Sequence, residues 1–374
     1  FPSALTGTEA RIVGLVGKWF PTGAHKVGAA FGCLVPKLVS GQFDPTTQKA
    51  VWPSTGNFCR GGAFDCALLG CQAVGILPEQ MSRERFEWLK EIGAEVIATP
   101  GCESNVKEIF DMCWEIRRTR PDCVIFNQFE EFGNPVWHFH TTGRVIDEIF
   151  TRIAAPGDRL AGFASATGSA GTISAGDFLR TKHPHLRIAA VEALECPTLL
   201  RCGYGGHRIE GIGDKHVPWI HNVRNTDAVV AVADEQCLGL MRLFNEPAGR
   251  EFLAAEGIAE PLIDQLPLLG ISGICNVVAA IKTAKDKNLP GFATLQPHHN
   301  LVHRKEYEAE LAALCANENI GAIPYSPLAG GFLTGKYRSE ADFKKSPRGG
   351  GAKKMLNERG LRILKALDDV SARL

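Results

Sequence analysis

Apolar runs and helical periodicity alternate along the first 290 residues. Nearly continuous apolar runs predict short buried strands at 49–53, 73–78, 94–98, 123–126, 160–165, 186–192 and 227–232. A period near 3.6 residues predicts helices at 26–40, 60–71, 82–92, 103–118, 135–153, 172–182, 234–246 and 272–286. Because the strands alternate with helices and are apolar throughout, the pattern favours an α/β fold with parallel sheets covered on both faces.

Composition narrows the class of protein. The 374 residues suffice for two or three domains, and 41 Lys plus Arg balance 41 Asp plus Glu, so neither a nucleic acid nor a membrane is expected as a partner. No apolar run reaches the length of a membrane span, and no signal peptide is recognised after Phe1. The 12 cysteines contain no Cys-x-x-Cys pair, which predicts buried thiols in the reducing cytoplasm.

Histidines occur in three close pairs that lack a third ligand at useful spacing. These pairs are His138/His140, His183/His185 and His298/His299. A zinc site needs three or four such ligands, so we interpret the pairs as structural or solvent-facing and expect no metal.

Lys26 carries the strongest chemical signal. It follows the turn Pro21-Thr22-Gly23 and opens an almost wholly apolar helix, so it should lie at a buried helix end. Burial lowers the pKa of an amine and makes it competent to form an imine.

Three small-residue turns, each opening a helix, complete the pattern. They are Ser54-Thr55-Gly56-Asn57, Gly168-Ser169-Ala170-Gly171-Thr172 and Gly270-Ile271-Ser272-Gly273. The second follows an apolar strand and offers backbone N–H groups and two hydroxyls to a phosphate, although such turns also serve tight packing or helix capping. It matches neither the Walker nor the Rossmann pattern. A lysine with these turns favours a Schiff-base cofactor that carries a phosphate.

Residues 5–290 resemble the fold-type II pyridoxal-phosphate (PLP) enzymes, the group of cysteine synthase, cystathionine β-synthase and tryptophan synthase β. The matching segments are Gly23-Ala24-His25-Lys26, Ser54-Thr55-Gly56-Asn57, Leu77-Pro78-Glu79-Gln80-Met81-Ser82, Gly93-Ala94-Glu95-Val96, Asn127-Gln128-Phe129-Glu130, Thr141-Thr142-Gly143, Gly168-Ser169-Ala170-Gly171-Thr172, Val191-Glu192 and Glu210-Gly211-Ile212-Gly213. The resemblance implies two parallel three-layer α/β domains. A large PLP-binding domain would comprise 1–48 and 151–290, and a smaller substrate-side domain 49–150.

The resemblance also implies roles for particular residues. Lys26 would bind the cofactor covalently and move the α-proton of the substrate. The other cofactor-binding residues would be His25, Asn57, Gly168, Ser169, Ala170, Gly171, Thr172 and Ser272. The substrate carboxylate would be bound by Ser54, Thr55, Gly56 and Gln128. A serine at 272 beside the pyridine nitrogen would leave that nitrogen largely unprotonated, which suits β-elimination or β-replacement.

Two features depart from the family pattern. The phosphate loop has Ser169-Ala170 where cysteine synthases commonly have Thr-Gly, which changes the shape of the loop. Lys26 also lies closer to the first residue than in typical members, so an N-terminal segment that covers the active site would be missing.

From about residue 291 the chain resembles the later strands of an aldo-keto reductase barrel. The matching segments are 292–304 and 323–337. The resemblance would place Gln296 beside a nicotinamide carboxamide and Tyr325 against its ring, but the first half of the barrel is not found, and two strand–helix units cannot close eight strands. We therefore expect 291–374 to be a structural fragment. Its strand 291–296 would join the preceding sheet, followed by helix 304–317, strand 321–325 and helix 357–372.

The functional prediction is a PLP-dependent lyase or transferase. It would carry out β-elimination or β-replacement on an amino acid such as serine or O-acetylserine, as a cysteine synthase does, and act as a homodimer. Two alternatives stay open at this point. One is an NADPH-dependent aldo-keto reductase, and the other is a chimera that binds PLP and turns over poorly.

Overall fold

A computed structural model describes residues 1–54, 56–101, 106–203, 205–285, 294–295, 297–317, 321–346 and 349–373. The chain divides into two compact units, Phe1–Leu289 and Pro290–Leu374. The predicted strand 291–296 lies largely outside the described residues, as do Thr55 and Gln296.

The first half of the first unit is built around a four-stranded parallel sheet in the order β3-β2-β1-β4. Its elements, in chain order, are α1 (Ser3–Thr6), α2 (Lys26–Val39), β1 (Lys49–Pro53), α3 (Asn57–Leu69), β2 (Gln72–Pro78), α4 (Arg83–Glu91), β3 (Glu95–Thr99), α5 (Val106–Thr119), β4 (Cys123–Ile125), α6 (Gly133–Trp137), a π-helical turn (His138–Gly143) and α7 (Arg144–Ile153).

Both faces of this sheet are covered, which explains why its strands are mostly apolar. In β1, Ala50 and Trp52 belong to the core that includes residues of α2 and α3. Val51, between them, belongs to the opposite core with Ile109 and Ile116 of α5. Successive residues of a strand face opposite sides, so a doubly covered strand has no polar face.

The second half of the first unit contains a three-stranded parallel sheet in the order β5-β6-β7. Its elements are β5 (Gly162–Ala166), α8 (Ile173–Lys182), β6 (Arg187–Ala193), α9 (Thr198–Arg201), a 3₁₀ turn (Val223–Asn225), β7 (Ala228–Val232), α10 (Asp234–Asn245), α11 (Pro247–Ala255), α12 (Glu260–Ile263), a 3₁₀ turn (Leu266–Leu268) and α13 (Ile271–Lys285). The predicted α/β class with parallel sheets is therefore confirmed.

The second unit has its own small sheet. Its elements are β8 (Thr294–Leu295), a π-helical turn (Tyr307–Leu311), α14 (Ala312–Asn317), β9 (Gly321–Ala322), 3₁₀ turns (Ala329–Thr334 and Glu340–Lys345), α15 (Gly349–Ala352), a 3₁₀ turn (Lys353–Met355) and α16 (Glu358–Ser371). Its buried core consists of Ala329, Phe332, Tyr337, Ala352 and Leu364.

The expected pairing of the tail strand is wrong for the residues that the structure describes. β8 pairs in parallel with β9, as a two-stranded sheet, and does not extend β5-β6-β7. Tyr325, expected near a sheet edge, forms an isolated parallel bridge with His298, and their rings stack with centroids 4.9 Å apart. The strand that pairs with β8 is thus β9, which belongs to the same barrel-like segment of the chain.

In the part of the chain that the structure describes, no single helix has the length and apolar character to cross a membrane. Only one pair, Glu260–Leu268 with Ile271–Lys285, passes that test when its members are joined, and they bend by 119°.

Candidate active site

Lys26 is the first residue of α2, and its amine is enclosed by the site. The turn before it closes through the N–H of Gly23, which donates to the carbonyl of Phe20 at 2.7 Å, and Gly23 has φ 72°, a conformation that favours glycine. The next helical positions, Val27 to Ala30, are buried, which anchors the start of the helix in the core. Burial lowers the pKa of the Lys26 amine to about 8.

The Lys26 amine bridges two other elements. Its Nζ donates to Gln128 Oε1 at 2.9 Å and to Ser169 Oγ at 2.8 Å. Gln128 Nε2 in turn donates to Ser54 Oγ at 3.4 Å. Ser54 follows β1, Gln128 lies just beyond β4, and Ser169 lies in the loop after β5. Three carboxyl ends of parallel strands therefore meet at the lysine, where ligands of such sheets bind.

The loop from Gly168 to Thr172 joins β5 to α8. Ala170 has φ 61°, in the left-handed region, and its side chain is buried. Gly171 packs so closely on Asn134 that a β-carbon there would collide with Asn134 Oδ1. The loop thus keeps its backbone at the surface of the site, without side chains in front of it at 168 and 171.

Asn134 holds this loop in register with Gln128. Its Nδ2 donates to the Gln128 carbonyl at 2.9 Å and to Ser169 Oγ at 3.1 Å. The side chain is fully buried, and its Oδ1 has no partner among the described residues. Sequence reasoning missed Asn134. The available signal was an Asn-Pro pair, Asn134-Pro135, six residues after a predicted ligand.

Two histidines, His25 and His138, pack against each other close to Lys26. His25 Nε2 lies 3.4 Å from Thr172 Oγ1, and its ring meets the ring of His138 edge-on at 5.0 Å. Burial, and then the charge of Lys26, lower the pKa of His25 to about 4. Burial also lowers the pKa of His138 well below its usual value. At neutral pH both rings are uncharged.

Of the two roles expected for the pair His138/His140, structural or solvent-facing, the buried position of His138 agrees with the structural one. His138 is fully buried, with Nδ1 3.0 Å from Thr142 Oγ1, and its Nε2 has no partner among the described residues. Both residues lie in the π-helical turn His138–Gly143, a feature that periodicity does not reveal. No group of three His, Cys, Asp or Glu residues suited to a metal occurs in the described part of the chain.

Of the other predicted site residues, some lie beside the Lys26 network and others do not. Gly56 donates its N–H to Ser54 Oγ at 3.1 Å, and Asn57 begins α3 opposite Gly211. Thr55, between them, lies outside the described residues. Ser272 is the second residue of α13 and is half-buried; within the described residues it makes no hydrogen bond to the Lys26 network.

The site fits a carbonyl cofactor with a phosphate group. An enclosed amine with a pKa of about 8 is neutral often enough near pH 7 to add to a carbonyl. Beside it lies a glycine-containing loop at the start of a helix, with hydroxyls at Ser169 and Thr172. These features define a lysine-dependent enzyme of the Schiff-base class.

Comparison with known proteins identifies the family. Residues 20–259 match the model of the family described as pyridoxal-phosphate dependent enzyme, and the chain belongs to that family. The predicted cofactor and enzyme class are thereby confirmed. Residues 268–373 match the aldo/keto reductase family model, so the predicted second resemblance is also found, beginning upstream of residue 291.

The curated relatives include cysteine synthases. A cysteine synthase of Staphylococcus aureus (strain Mu50) is 31% identical over 270 residues, which cover 71% of this chain and 78% of that protein. A probable cysteine synthase of Bacillus subtilis is 29% identical over 266 residues, with the same coverage of 71% and 78%.

Solved structures share the fold at lower identity. A hydrogen sulfide-producing enzyme of Fusobacterium nucleatum is 24% identical with a TM-score of 0.60, covering 73% of this chain and 85% of its own. An O-acetylserine dependent cystathionine β-synthase of Helicobacter pylori is 24% identical with a TM-score of 0.60, covering 72% and 80%.

Proposed function

We propose that this protein catalyses PLP-dependent β-replacement or β-elimination on an amino acid with a β leaving group, such as serine or O-acetylserine. The observation that carries the proposal is the position of the Lys26 amine between Gln128 Oε1 and Ser169 Oγ. This places one reactive amine between the proposed carboxylate-binding residues and the proposed phosphate loop. The similarity to cysteine synthases supports the same reaction class.

Lys26 has two proposed tasks. Its amine joins the cofactor, and because its pKa is about 8, about a tenth of it is neutral at pH 7. Once released by the incoming amino acid, the same Nζ takes the α-proton. When bound, PLP withdraws electrons from the α-carbon. The uncharged His25 and His138 add no positive charge that would lower the pKa of the amine further.

The substrate carboxylate is proposed to bind at Ser54, Thr55, Gly56 and Gln128. Ser54 and Gln128 are both buried, and their side chains already face each other. Burial strengthens hydrogen bonds to a carboxylate, because water does not compete for the donors.

The remaining proposed contacts belong to the cofactor. The backbone and hydroxyls of Gly168, Ser169, Ala170, Gly171 and Thr172 hold the phosphate, with His25 beside Thr172. Asn57 binds the 3′-oxygen, and Ser272 the ring nitrogen. A serine hydroxyl at this nitrogen leaves it largely unprotonated, which moderates electron withdrawal and favours elimination at the β-carbon.

We also propose the domain division 1–48 with 151–290, 49–150, and 291–374, and a cytoplasmic homodimer. The separate four-stranded and three-stranded sheets support the division. Phe31, Phe132 and Val136 are exposed apolar residues beside the close contact of Gly32 with Gly133, and they support self-association. Sedimentation equilibrium of the holoprotein tests the dimer.

Borohydride reduction tests the lysine. After PLP is added, reduction should attach the cofactor to Lys26, as mapped by mass spectrometry of peptides. Lys26→Ala should abolish the visible absorption, whereas Lys18→Ala, at an exposed position, should keep it. Labelling spread over surface lysines, with colour retained in Lys26→Ala, would contradict the assignment.

Turnover tests the reaction. The holoprotein with O-acetylserine and sulfide should release cysteine, and without a nucleophile it should release pyruvate and ammonia. A holoprotein that is labelled at Lys26 but converts no amino acid with a β leaving group would refute the reaction and leave the cofactor assignment intact.

A further inference from the structure

Two arginines lie beside the proposed carboxylate loop and have no role in the reaction described above. Arg60 is on α3, one turn after Asn57, and Arg85 is on α4. Their guanidinium groups are close enough for the charge of Arg85 to act on Arg60. Their like charges repel, and an anion bound nearby would offset that repulsion.

Arg85 packs directly on the loop. Its Nη1 lies where a β-carbon at Gly56 would be, so a larger residue there would require the Arg85 side chain to move. Gly56 donates to Ser54 Oγ at 3.1 Å, and Ser54 is linked through Gln128 to Lys26. The guanidinium therefore reaches the same loop as the substrate, on the side of the loop covered by α4.

Glu210 provides part of the opposite charge. Arg85 Nη2 lies 2.7 Å from Glu210 Oε2, and the Glu210 side chain is 60% exposed. An ion pair with one largely exposed partner contributes little to stability, so little free energy opposes its replacement by another anion.

The guanidinium group of Arg60 contacts an aromatic ring, and one of its hydrogen-bond donors has no partner among the described residues. Its guanidinium lies over the ring of Trp88 at 4.6 Å, which fixes its plane. Its Nε is buried and has no hydrogen-bond partner among the described residues. A buried guanidinium donor without a partner costs free energy unless an anion binds there.

We infer that Arg60 and Arg85 form a subsite for an anionic β-substituent, so that the preferred substrate is an amino acid such as O-phosphoserine rather than an uncharged ester. Arg60 and Arg85 together bring two positive charges beside the loop. A phosphate monoester offers several acceptor oxygens, and arginine is well suited to bind them in pairs. This inference rests on the proposed function.

The corresponding elimination is balanced without a further reagent. Lys26 Nζ takes the α-proton, the Cβ–O bond breaks, and its electron pair leaves on the phosphate oxygen. Water then releases pyruvate and ammonia, so one O-phosphoserine and one water give pyruvate, ammonia and inorganic phosphate. The two arginines stabilise the charge of the departing phosphate.

The test compares kcat/KM for O-phospho-L-serine and O-acetyl-L-serine in the holoprotein, with pyruvate release as the readout. We expect the unaltered protein to favour O-phosphoserine. Arg60→Gln and Arg85→Gln should each lower the ratio of the two kcat/KM values at least tenfold, and Arg60→Lys should retain part of it. Arg83→Gln is the matched control, because Arg83 is on the same helix and 90% exposed. It should leave the ratio unchanged.

The visible absorption of bound PLP and the thermal midpoint of each variant report folding independently of turnover. If O-acetylserine is favoured by the unaltered protein, or if both substrates lose equally in the glutamine variants, the subsite is refuted while the proposed function stands. Equal losses would mean that the arginines serve the α-carboxylate. A protein that takes up no PLP refutes the proposed function and the subsite together.

Discussion

The two compact units of this chain differ in the length of their strands and in the number of strands in each sheet. In the described part of Phe1–Leu289, seven strands of three to seven residues form two parallel sheets with helices on their faces. In Pro290–Leu374, β8 and β9 have two residues each. A parallel strand is stabilised by neighbours on both edges, which a barrel segment of two strands does not supply. A segment that matches a family's sequence therefore need not adopt the architecture of that family when it contains only two of the barrel strands.

The buried hydrophobic core is also more extensive in the first unit than in the second. The first unit buries several clusters, the largest around β6, β7 and α13. In the described part of the second unit, the core cluster contains five buried residues, including Phe332 and Leu364 of α16, and polar contacts add to the packing of that helix. Asn357 Oδ1 accepts from the Gly360 N–H at 3.0 Å, and Arg338 binds the Asp368 carboxylate through two contacts of 2.7 Å. We therefore expect the cofactor site to depend on the first unit alone.

The largest expected effect tests the independence of the units. Phe332→Ala removes a fully buried ring from the small core and should destabilise the second unit by about 3 kcal/mol. Hydrogen exchange in α16 should accelerate, while visible absorption of bound PLP stays unchanged. Leu361→Ala, at a 43% exposed position on the same helix, is the control with little effect. Loss of PLP binding in Phe332→Ala would show that the two units are coupled.

The next effect concerns the substrate side of the first unit. Gln128→Ala removes one hydrogen-bond partner from Ser54 and one from the Lys26 amine, and it should weaken binding of the amino acid by about 1–3 kcal/mol, while PLP uptake survives. Spectral titration of the holoprotein with serine measures this. Gln72→Ala, at an exposed strand position, serves as the control. If Gln128→Ala loses PLP and amino acid equally, the residue is structural.

The rate at which PLP attaches to Lys26 should depend on pH, and the size of this effect should be similar. The pKa of the Lys26 amine is lowered from 10.5 to about 8, so its neutral, nucleophilic fraction rises about tenfold between pH 7 and pH 9. The rate of PLP attachment, followed by visible absorption, should rise by that factor and level off above the pKa. A rate that keeps increasing toward pH 10.5 would mean that the amine is not perturbed by burial.

The smallest effect concerns the phosphate loop. Ala170 has φ 61°, where glycine is favoured over alanine, so Ala170→Gly should stabilise the protein by about 0.5–1 kcal/mol. Ala175→Gly, inside helix α8, is the opposed control and should destabilise by a similar amount. Thermal unfolding measures both. A lower midpoint for Ala170→Gly would show that the alanine methyl group contributes more by packing than its conformation costs.

Periodicity located the seven strands described in the first unit within two residues at each end, because each of them is a short run made mostly of apolar residues. The single predicted helix 135–153 is instead α6, a π-helical turn and α7. The π-helical turn spans only six residues, His138–Gly143, and is continuous with helices on both sides, so the periodicity of the segment did not reveal it.

The sequence by itself determined the local chemistry of this protein: a lysine at the start of an apolar helix, small-residue turns after predicted strands, and two segments of different family character. Only the tertiary structure decided which side chains meet. Asn134 joins Ser169 to Gln128, His138 backs His25, Arg85 covers Gly56, and β8 pairs with β9. Local signals act within a turn or a strand. These contacts instead join residues far apart in the chain and depend on how the helices and sheets pack.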